Sequence, residues 1–182
     1  MPNDAEGNLA EKNLYDSKGE LKNRSTYQYD SRKNETESCN YLGGALIRKT
    51  MKNYDANGRL LETKAEAKSD KYLNKFTYDG RGNLIQDEEF KNGILSSKST
   101  FKIDYKGTKV EECSYYPNGK IKNKKTYDKE GNLSEDSDYT DLGAIKSSET
   151  IKYMYDMYGN WRTKTMMINS KITISERSLD YY

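Results

Sequence analysis

Paired carboxylates are the residues of this sequence that could most directly perform chemistry, because an acid and a base flanking one bond can cleave it. The candidate pairs are Glu88 with Glu89, Glu111 with Glu112, and Asp136 with Asp138. Neighbouring residues of a strand point to opposite faces, so only Asp136 and Asp138 could face one substrate together. The chain has no histidine, the usual general base, and no nucleophile motif beside a base. We therefore predict that the protein is not an enzyme, with an acidic-residue hydrolase as a remaining alternative.

Oxygen-rich turns are a second kind of candidate site. The segments 55–58 (Asp-Ala-Asn-Gly) and 128–132 (Asp-Lys-Glu-Gly-Asn) resemble fragments of calcium loops, which place oxygen ligands at alternate positions around a glycine. Neither has the complete ligand set of an EF-hand loop, which ends on a bidentate glutamate. We assign these Asp and Asn side chains to turn capping, and we predict no metal and no cofactor.

Aromatic side chains are the third candidate, and the chain has 17 tyrosines and one tryptophan. A row of rings on a flat sheet could stack on sugars or anchor a protein partner. Alternatively, each ring supplies the apolar surface that a sheet poor in aliphatic residues needs for stability. The candidate binding residues lie in the C-terminal half: Tyr115, Tyr116, Tyr139, Tyr153, Tyr158 and Trp161.

A tandem repeat must position all of these side chains. An Asp recurs every 24 to 28 residues, usually with Tyr directly before it, Gly three residues after it and Leu two residues after that Gly. The aspartates are Asp4, Asp30, Asp55, Asp79, Asp104, Asp128 and Asp156, and the matching third residues are Gly7, Lys33, Gly58, Gly82, Gly107, Gly131 and Gly159. The Asp side chain can accept backbone N–H groups in a type I turn, and glycine adopts the left-handed conformation that returns the chain. Each motif therefore predicts a hairpin tip, with the Tyr and the Leu near each other across the strand pair.

A second, looser set of turns lies midway between these tips, at Gly19, 43–44, 69–70, 92–93, 118–119, Gly143 and 169–170. The strands between turns alternate, as in 121–127, and no helical periodicity of useful length occurs. We predict an all-β fold of tandem antiparallel β-hairpins that form an extended, twisted or curling sheet, with almost no helix. Residues 1–182 are predicted to form a single array of about seven two-strand units, with turn motifs near 4–9, 30–35, 55–60, 79–84, 104–109, 128–133 and 156–161.

Charge and composition exclude several partners. The formal net charge is only +2, with both signs interspersed, so there is no basic stripe for nucleic acid and no charged run for a membrane surface. No stretch of ten apolar residues occurs, so we predict no membrane insertion. Cys39 and Cys113 stand far apart in the chain. We interpret them as two half-buried thiols on strands, since a disulfide would have to join distant repeats.

Several units resemble the YD repeat of the bacterial Rhs family. They read YDANGRL at 54–60, YDGRGNL at 78–84, YDKEGNL at 127–133 and YDMYGNW at 155–161, so Trp161 takes the usual Leu position. The resemblance implies an extracytoplasmic bacterial protein, at the cell surface, in the periplasm or secreted, built as a long curling antiparallel sheet. In large members that sheet forms a shell around a toxin domain. This chain has no recognisable autoproteolytic segment or toxin, and seven units are too few to enclose a domain. The segment 115–127 also looks like a MORN-type repeat.

The sequence as a whole favours a noncatalytic repeat scaffold of a bacterial surface or secreted protein. Such a scaffold would bind a protein or form part of a larger YD-repeat shell, and the expected contacts are a protein partner or self-association through a sheet edge. A carbohydrate-binding module that uses exposed Tyr and Trp is the alternative, so a glycan is the other possible ligand. The chain begins within a turn motif at 3–9, which suggests a processed protein or a piece of a longer array.

Overall fold

Fourteen β-strands form the computed structural model, which describes residues 2–168 and 170–178. They are β1 (Glu11–Tyr15), β2 (Leu21–Tyr29), β3 (Glu35–Leu42), β4 (Ala45–Tyr54), β5 (Leu60–Ala67), β6 (Asp70–Tyr78), β7 (Leu84–Lys91), β8 (Ile94–Ile103), β9 (Lys109–Tyr115), β10 (Ile121–Tyr127), β11 (Leu133–Tyr139), β12 (Ile145–Tyr155), β13 (Trp161–Ile168) and β14 (Lys171–Glu176). The order of the antiparallel strands in the sheet is their order in the chain. The described residues contain no helix. The predicted all-β fold of tandem hairpins is confirmed.

The chain divides into two compact units. The first comprises Met1–Thr77 and Asp87–Ser96, and the second comprises Tyr78–Gln86 and Ser97–Tyr182. Within each unit, strands that follow one another in the chain pair through short turns. In the range that the structure describes, no helix is long and apolar enough to cross a membrane.

The Tyr-Asp motifs form the hairpin tips that the sequence predicts, and the turn at Asp79 shows how. The carboxylate Oδ1 of Asp79 accepts the backbone N–H of Arg81 and of Asn83, both at 2.9 Å, and the Asn83 side chain donates to Oδ2. The N–H of Gly82 donates to the Asp79 carbonyl at 3.0 Å, which closes the turn. Gly82 has a φ of 94°, the left-handed region that glycine enters without a steric cost. The same two backbone N–H bonds to the Asp side chain occur at all seven motifs.

At three of the tips, the residues on either side pair as expected. Tyr54 lies opposite Leu60, Tyr127 lies opposite Leu133, and Tyr155 lies opposite Trp161. The register shifts by one residue at each of these tyrosines, which is the bulge that a left-handed residue in the turn produces. The aromatic and aliphatic side chains therefore meet across the strand pair, where such pairs stabilise a sheet.

The looser turns also contain left-handed residues. Gly19, Gly43, Gly44, Gly93, Gly119 and Gly143 all have positive φ. At the turn predicted for 69–70, the left-handed residue is Lys68, with a φ of 55°. Asn169 lies outside the described residues, and Ser170 beside it has a φ of 66°. The turns of both sets thus depend on the same backbone conformation.

Very little apolar surface is completely buried. Among the described residues, the buried hydrophobic side chains are Cys39, Ala65, Cys113 and Ile151, and the buried polar residue is Ser137. The two cysteines are 7% and 4% exposed, so the prediction of half-buried thiols was wrong. Each cysteine lies in mid-strand between a threonine and a lysine of the neighbouring strands, and the methylene stem of a lysine can cover a thiol. Both thiols are free.

Candidate binding surfaces

The paired carboxylates at 111–112 and 136–138 lie where the alternation of the strands predicts. Glu111 is opposite Thr126 and Glu112 is opposite Lys125, so the two neighbouring glutamates face opposite sides of the sheet. Asp136 and Asp138 share one face, because they lie opposite Lys125 and Asn123. The Asn123 side-chain amide joins both, donating to Asp136 at 2.6 Å and to Asp138 at 3.0 Å.

Electrostatics make Glu111, Glu112 and Asp138 poor general acids, because a general acid needs a raised pKa to hold a proton at neutral pH. Hydrogen bonds from Lys102 and Lys124 lower the pKa of Glu111. The hydrogen bond from Lys109 lowers the pKa of Glu112. The pKa of Asp138 is likewise lowered, first by the amide of Asn123. Neighbours on adjacent strands therefore keep Glu111 and Asp138 ionised, and Lys109 of the same strand does so for Glu112.

The turn aspartates do not converge on a metal site. Their oxygens accept N–H groups of their own turns, as described for Asp79. Within 2–168 and 170–178, no three Cys, Asp or Glu side chains are grouped closely enough to hold a metal ion. The calcium-loop fragments at 55–58 and 128–132 are ordinary hairpin turns, in which Asp55 and Asp128 each accept two backbone N–H groups.

Acid is expected to weaken these turns. Hydrogen bonds from the side chain and backbone of Asn83 lower the pKa of Asp79 to about 2, from an ordinary value of 3.8. Because folding lowers this pKa, the stabilisation by ionised Asp79 is complete well above pH 3.8 and is lost as the pH falls toward about 2. We expect the melting temperature to fall between about pH 5 and pH 2. The pKa values of Asp4, Asp30 and Asp55 are lowered for the same reason and add to the effect.

Replacing Asp79 by asparagine isolates this contribution. Asparagine keeps a side-chain oxygen that can accept the two backbone N–H groups, but it does not titrate. At neutral pH the Asp79→Asn variant should melt below the wild type, because hydrogen bonds to a charged acceptor are stronger. The melting temperatures of the two proteins should converge as the pH approaches 2. A difference that is the same at both ends of this pH range would contradict the role given to the ionised carboxylate.

Three of the aromatic residues of the last hairpins form a cluster. The Tyr153 ring lies 6.0 Å from the Tyr155 ring and 6.3 Å from the Trp161 ring, measured between centroids. The Arg177 guanidinium stands 4.1 Å from the centre of the Trp161 ring. Burial raises the pKa of the Tyr153 hydroxyl. We call Tyr153, Tyr155 and Trp161 the C-terminal aromatic cluster.

The other predicted aromatic residues lie elsewhere. Tyr116 occupies the first position of a turn, and its hydroxyl donates to the Tyr139 carbonyl at 2.8 Å. The Tyr115 hydroxyl is 2.9 Å from the hydroxyl of Thr100, and the ammonium of Lys98 lies over its ring. Tyr158 is 65% exposed in the turn at 156–159. The structure therefore brings Tyr153 and Trp161 together, joins Tyr116 to the backbone of Tyr139, and leaves Tyr115 and Tyr158 in separate surroundings.

The roles of two residues in this region were not predicted from the sequence. The Tyr155 hydroxyl donates to the Asp128 carboxylate of the preceding motif and accepts the Asn132 amide at 2.7 Å. Burial and the bond to Asp128 raise the pKa of Tyr155 well above its ordinary range. Its position before Asp156 was a signal, since Tyr29 and Tyr54 also donate to the preceding repeat. Arg177 lies after the last motif, where no pattern indicated a role.

β14 presents an exposed strand. All six of its residues are exposed, including Ile172 and Ile174 at 60% and 62%. Ile172 lies opposite Met167 and Ile174 lies opposite Thr165, so both isoleucines are on one face. The pairing of β14 with β13 continues without a register shift. Among the described residues, β14 is the last strand of the sheet and pairs along one edge.

Comparison with solved structures shows what the fold is similar to. It matches the crystal structures of TcdB2-TccC3-Cdc42, of TcdB2-TccC3, and of TcdB2-TccC3 without the hypervariable C-terminal region, each over 91% of this chain at 17% identity with a TM-score of 0.61. The chain spans only 10%, 10% and 9% of the lengths of those chains. No protein-family model and no curated protein matches the sequence. At this identity the likeness shows the fold alone, an antiparallel hairpin sheet that also occurs within these much longer chains.

Proposed function

We propose that the chain is a noncatalytic scaffold: a single array of YD-type repeats that belongs to a larger sheet and binds a protein partner. The observation that carries the proposal is the sequential sheet of fourteen antiparallel strands, in which the recurrent Asp, Gly and Tyr residues build turns. The fold likeness to segments of much longer chains supports a part in a larger assembly. By the YD-repeat resemblance, the protein acts outside the bacterial cytoplasm.

The state of the charged groups supports a noncatalytic role. The acidic pairs at 111–112 and 136–138 are bound to lysine, asparagine or serine neighbours. The lowered pKa values of Glu111, Glu112 and Asp138 suit a permanent anion rather than a proton donor. A hydrolase of the acidic type needs one carboxyl group with a raised pKa. These residues instead connect adjacent strands and keep a polar sheet in register.

The edge of β14 is the contact surface that we propose for the protein partner. Proteins usually protect exposed edges by proline, by inward charges or by a bulge. β14 has no proline, is charged only at Lys171 and Glu176, and pairs in regular register. Its central residues, Ile172 to Ser175, have high β-propensity or small size. Such a strand can accept a further strand by backbone hydrogen bonding, and a second copy of the chain is the simplest donor.

Sedimentation velocity of the wild type and of a double variant tests this contact. Replacing Ile172 and Ile174 by lysine puts two charges on the edge strand, which opposes strand addition without removing any buried side chain. We expect the wild type to associate as its concentration rises and the double variant to remain monomeric. Leu142→Lys with Met157→Lys is the matched control, because these side chains are 80% and 88% exposed in turns.

The control distinguishes association through the β14 edge from nonspecific association of exposed apolar side chains. If the control also becomes monomeric, association depends on exposed apolar side chains of any location and the edge proposal fails. A wild type that stays monomeric at every concentration contradicts self-association. An added peptide with the β14 sequence then tests whether the edge accepts a strand at all, and lack of binding would remove the edge as the partner site.

Carbohydrate binding is the second candidate, and the C-terminal aromatic cluster favours it. Trp161 is the only tryptophan in the chain, so its fluorescence reports directly on this cluster. Stacking of a sugar on Trp161 or Tyr153 would change the emission in a saturable way during titration with oligosaccharides. Tyr158→Ala, which alters an exposed ring in the adjacent turn, is the variant that tests whether the surface extends to that turn. An emission spectrum that no oligosaccharide changes would contradict this second candidate.

A further inference from the structure

A cleft of about 410 Å³ opens on the first unit, and none of its lining residues belongs to the surfaces discussed above. Its apolar walls are Met51 of β4, Leu73 of β6 and Phe90 of β7. Lys64, Glu66 and Lys71 also line it, at the end where β5 turns into β6. A volume of this size lies within the range of small-molecule sites in proteins, which are mostly apolar with a few polar groups.

The register shows that these side chains share one face of the sheet. Lys64 lies opposite both Met51 and Leu73, and Glu66 lies opposite Lys71. Residues directly opposite each other in neighbouring strands project to the same side. Glu62 is on the same face as Lys64, because the two residues are two positions apart in β5. Lys75 lies opposite Glu62 and is therefore on this face too, and its ammonium stands 5.5 Å from the centre of the Phe90 ring. The cleft is therefore a feature of one face, bounded by three strands with apolar residues and by lysines.

A missing aromatic ring explains why the cleft is there. The sixth residue after the leucine position of the motif is aromatic in most repeats, where it is Tyr15, Tyr41, Phe90, Tyr115 or Tyr139. In the repeat that begins at Leu60, this position holds Glu66, whose side chain is 58% exposed and pairs with Lys71 at 3.5 Å. A carboxylate that turns toward solvent leaves uncovered the apolar surface that a ring would cover. The space beside Met51 and Phe90 is the result.

Charge around the cleft favours an anion. Lys64 pairs with Glu62 and Lys71 pairs with Glu66, while the third ammonium group, of Lys75, lies over the Phe90 ring. The ion pair of Lys71 with Glu66 is long and exposed, with side-chain exposures of 75% and 58%, so its partners can separate at little cost. Lys71 is thus available to an acidic group placed at the mouth of the cleft.

We propose that this cleft binds a small aromatic carboxylate. Its ring system occupies the position of the missing ring, against Met51, Leu73 and Phe90, and its carboxylate meets the ammonium groups of Lys71 and Lys75. Burial of the ring provides most of the affinity, and the lysines select the anion over a neutral compound of the same shape. The proposal does not depend on the scaffold function, since the cleft and the β14 edge involve different residues.

Methyl NMR of protein with labelled methionine tests binding, with 2-naphthoate as the probe. Met51 lines the cleft, whereas Met154, Met157, Met166 and Met167 belong to the second unit and serve as internal controls. We expect the Met51 methyl signal to shift in a saturable manner and the signals of these four control methionines to stay in place. No saturable shift of Met51, or equal shifts of all the methionines, overturns the proposal.

Variants then test the two parts of the site. Leu73→Asp should abolish the Met51 shift, while Leu142→Asp, at an exposed turn position of the second unit, should leave it unchanged. The double variant Lys71→Gln with Lys75→Gln changes only exposed side chains. This variant should bind 2-naphthoate about fivefold more weakly, because each exposed charge interaction contributes modestly to the affinity. Its affinity for neutral 2-naphthol should not change.

Two results with these variants would contradict the cleft proposal. If the lysine variant loses affinity equally for 2-naphthoate and 2-naphthol, the lysines do not select the anion by charge. Undiminished binding of 2-naphthoate to a folded Leu73→Asp variant would show that the ligand binds elsewhere. The Ile172→Lys, Ile174→Lys variant should bind 2-naphthoate as the wild type does. Failure of the edge proposal and failure of the cleft proposal are therefore distinguishable in the same set of proteins.

Discussion

Replacing Gly82 by valine is expected to lower the free energy of unfolding by about 2 kcal/mol, the cost of forcing a non-glycine residue into the left-handed region. Gly82 has a φ of 94°, and its N–H closes the hairpin on the carbonyl of Asp79. A β-branched side chain strongly resists this conformation, so the turn must either strain or open. Gly131, with a φ of 82°, should behave alike.

The neighbouring Gly80 provides the matched control. It belongs to the same turn but does not have a positive φ, and a Cβ built on it would meet no heavy atom within 4 Å. Gly80→Val should therefore cost much less than Gly82→Val in chemical denaturation followed by circular dichroism. Equal effects of the two substitutions would show that side-chain bulk, and not backbone conformation, is responsible.

Lys33 offers the reverse experiment. It occupies the glycine position of its motif with a φ of 64°, and its N–H closes the turn on Asp30 at 2.9 Å. Lys33→Gly removes the left-handed strain but adds flexibility to the unfolded chain, so the net gain in stability should be about 0.5–1 kcal/mol. A loss of stability in this variant would contradict the explanation given for the glycines.

Truncation of Ile151 to alanine is expected to cost about 2–3 kcal/mol, a large share of the stability of a protein with so few buried apolar groups. Ile151 is 5% exposed in β12 and lies opposite Met166 of β13. A thin sheet can close a void only by moving a neighbouring strand, so most of the lost packing is not recovered.

Ile172→Ala is the control for Ile151→Ala, because the same atoms are removed from a side chain that is 60% exposed. Its effect on the unfolding free energy should stay within about 0.5 kcal/mol. Both variants can be measured by urea denaturation with Trp161 fluorescence as the signal. Similar midpoints for the two would indicate that Ile151 contributes no more than a surface residue.

The repeat made the backbone predictable from sequence. Asp-x-x-Gly specifies a local turn through the side chain of Asp and the left-handed conformation of Gly, and both act within five residues. The alternation of strands such as 121–127 then assigns each residue to a face. The opposite faces of Glu111 and Glu112, and the shared face of Asp136 and Asp138, followed from this geometry alone.

Contacts between repeats were harder to predict from the sequence. The bond from Tyr155 to Asp128 joins two motifs, and the position of Arg177 over Trp161 depends on a segment without a repeated pattern. Cys39 and Cys113 are buried opposite lysines of neighbouring strands, whose apolar stems a count of apolar residues does not include. The cleft beside Glu66 arises from the absence of a ring, and only comparison with the other repeats exposes such an absence.

The strict order of the strands also affects how the chain reaches its folded state. Among the described residues, each strand pairs only with those that precede and follow it in the chain, so every loop closed by strand pairing is short and its entropic cost is small. Proteins with such local contacts fold quickly, and a repeat array can start from any hairpin and grow from there. A chain of this design can fold progressively as it emerges from a ribosome or a narrow export channel, one hairpin after another, without waiting for its C-terminal end.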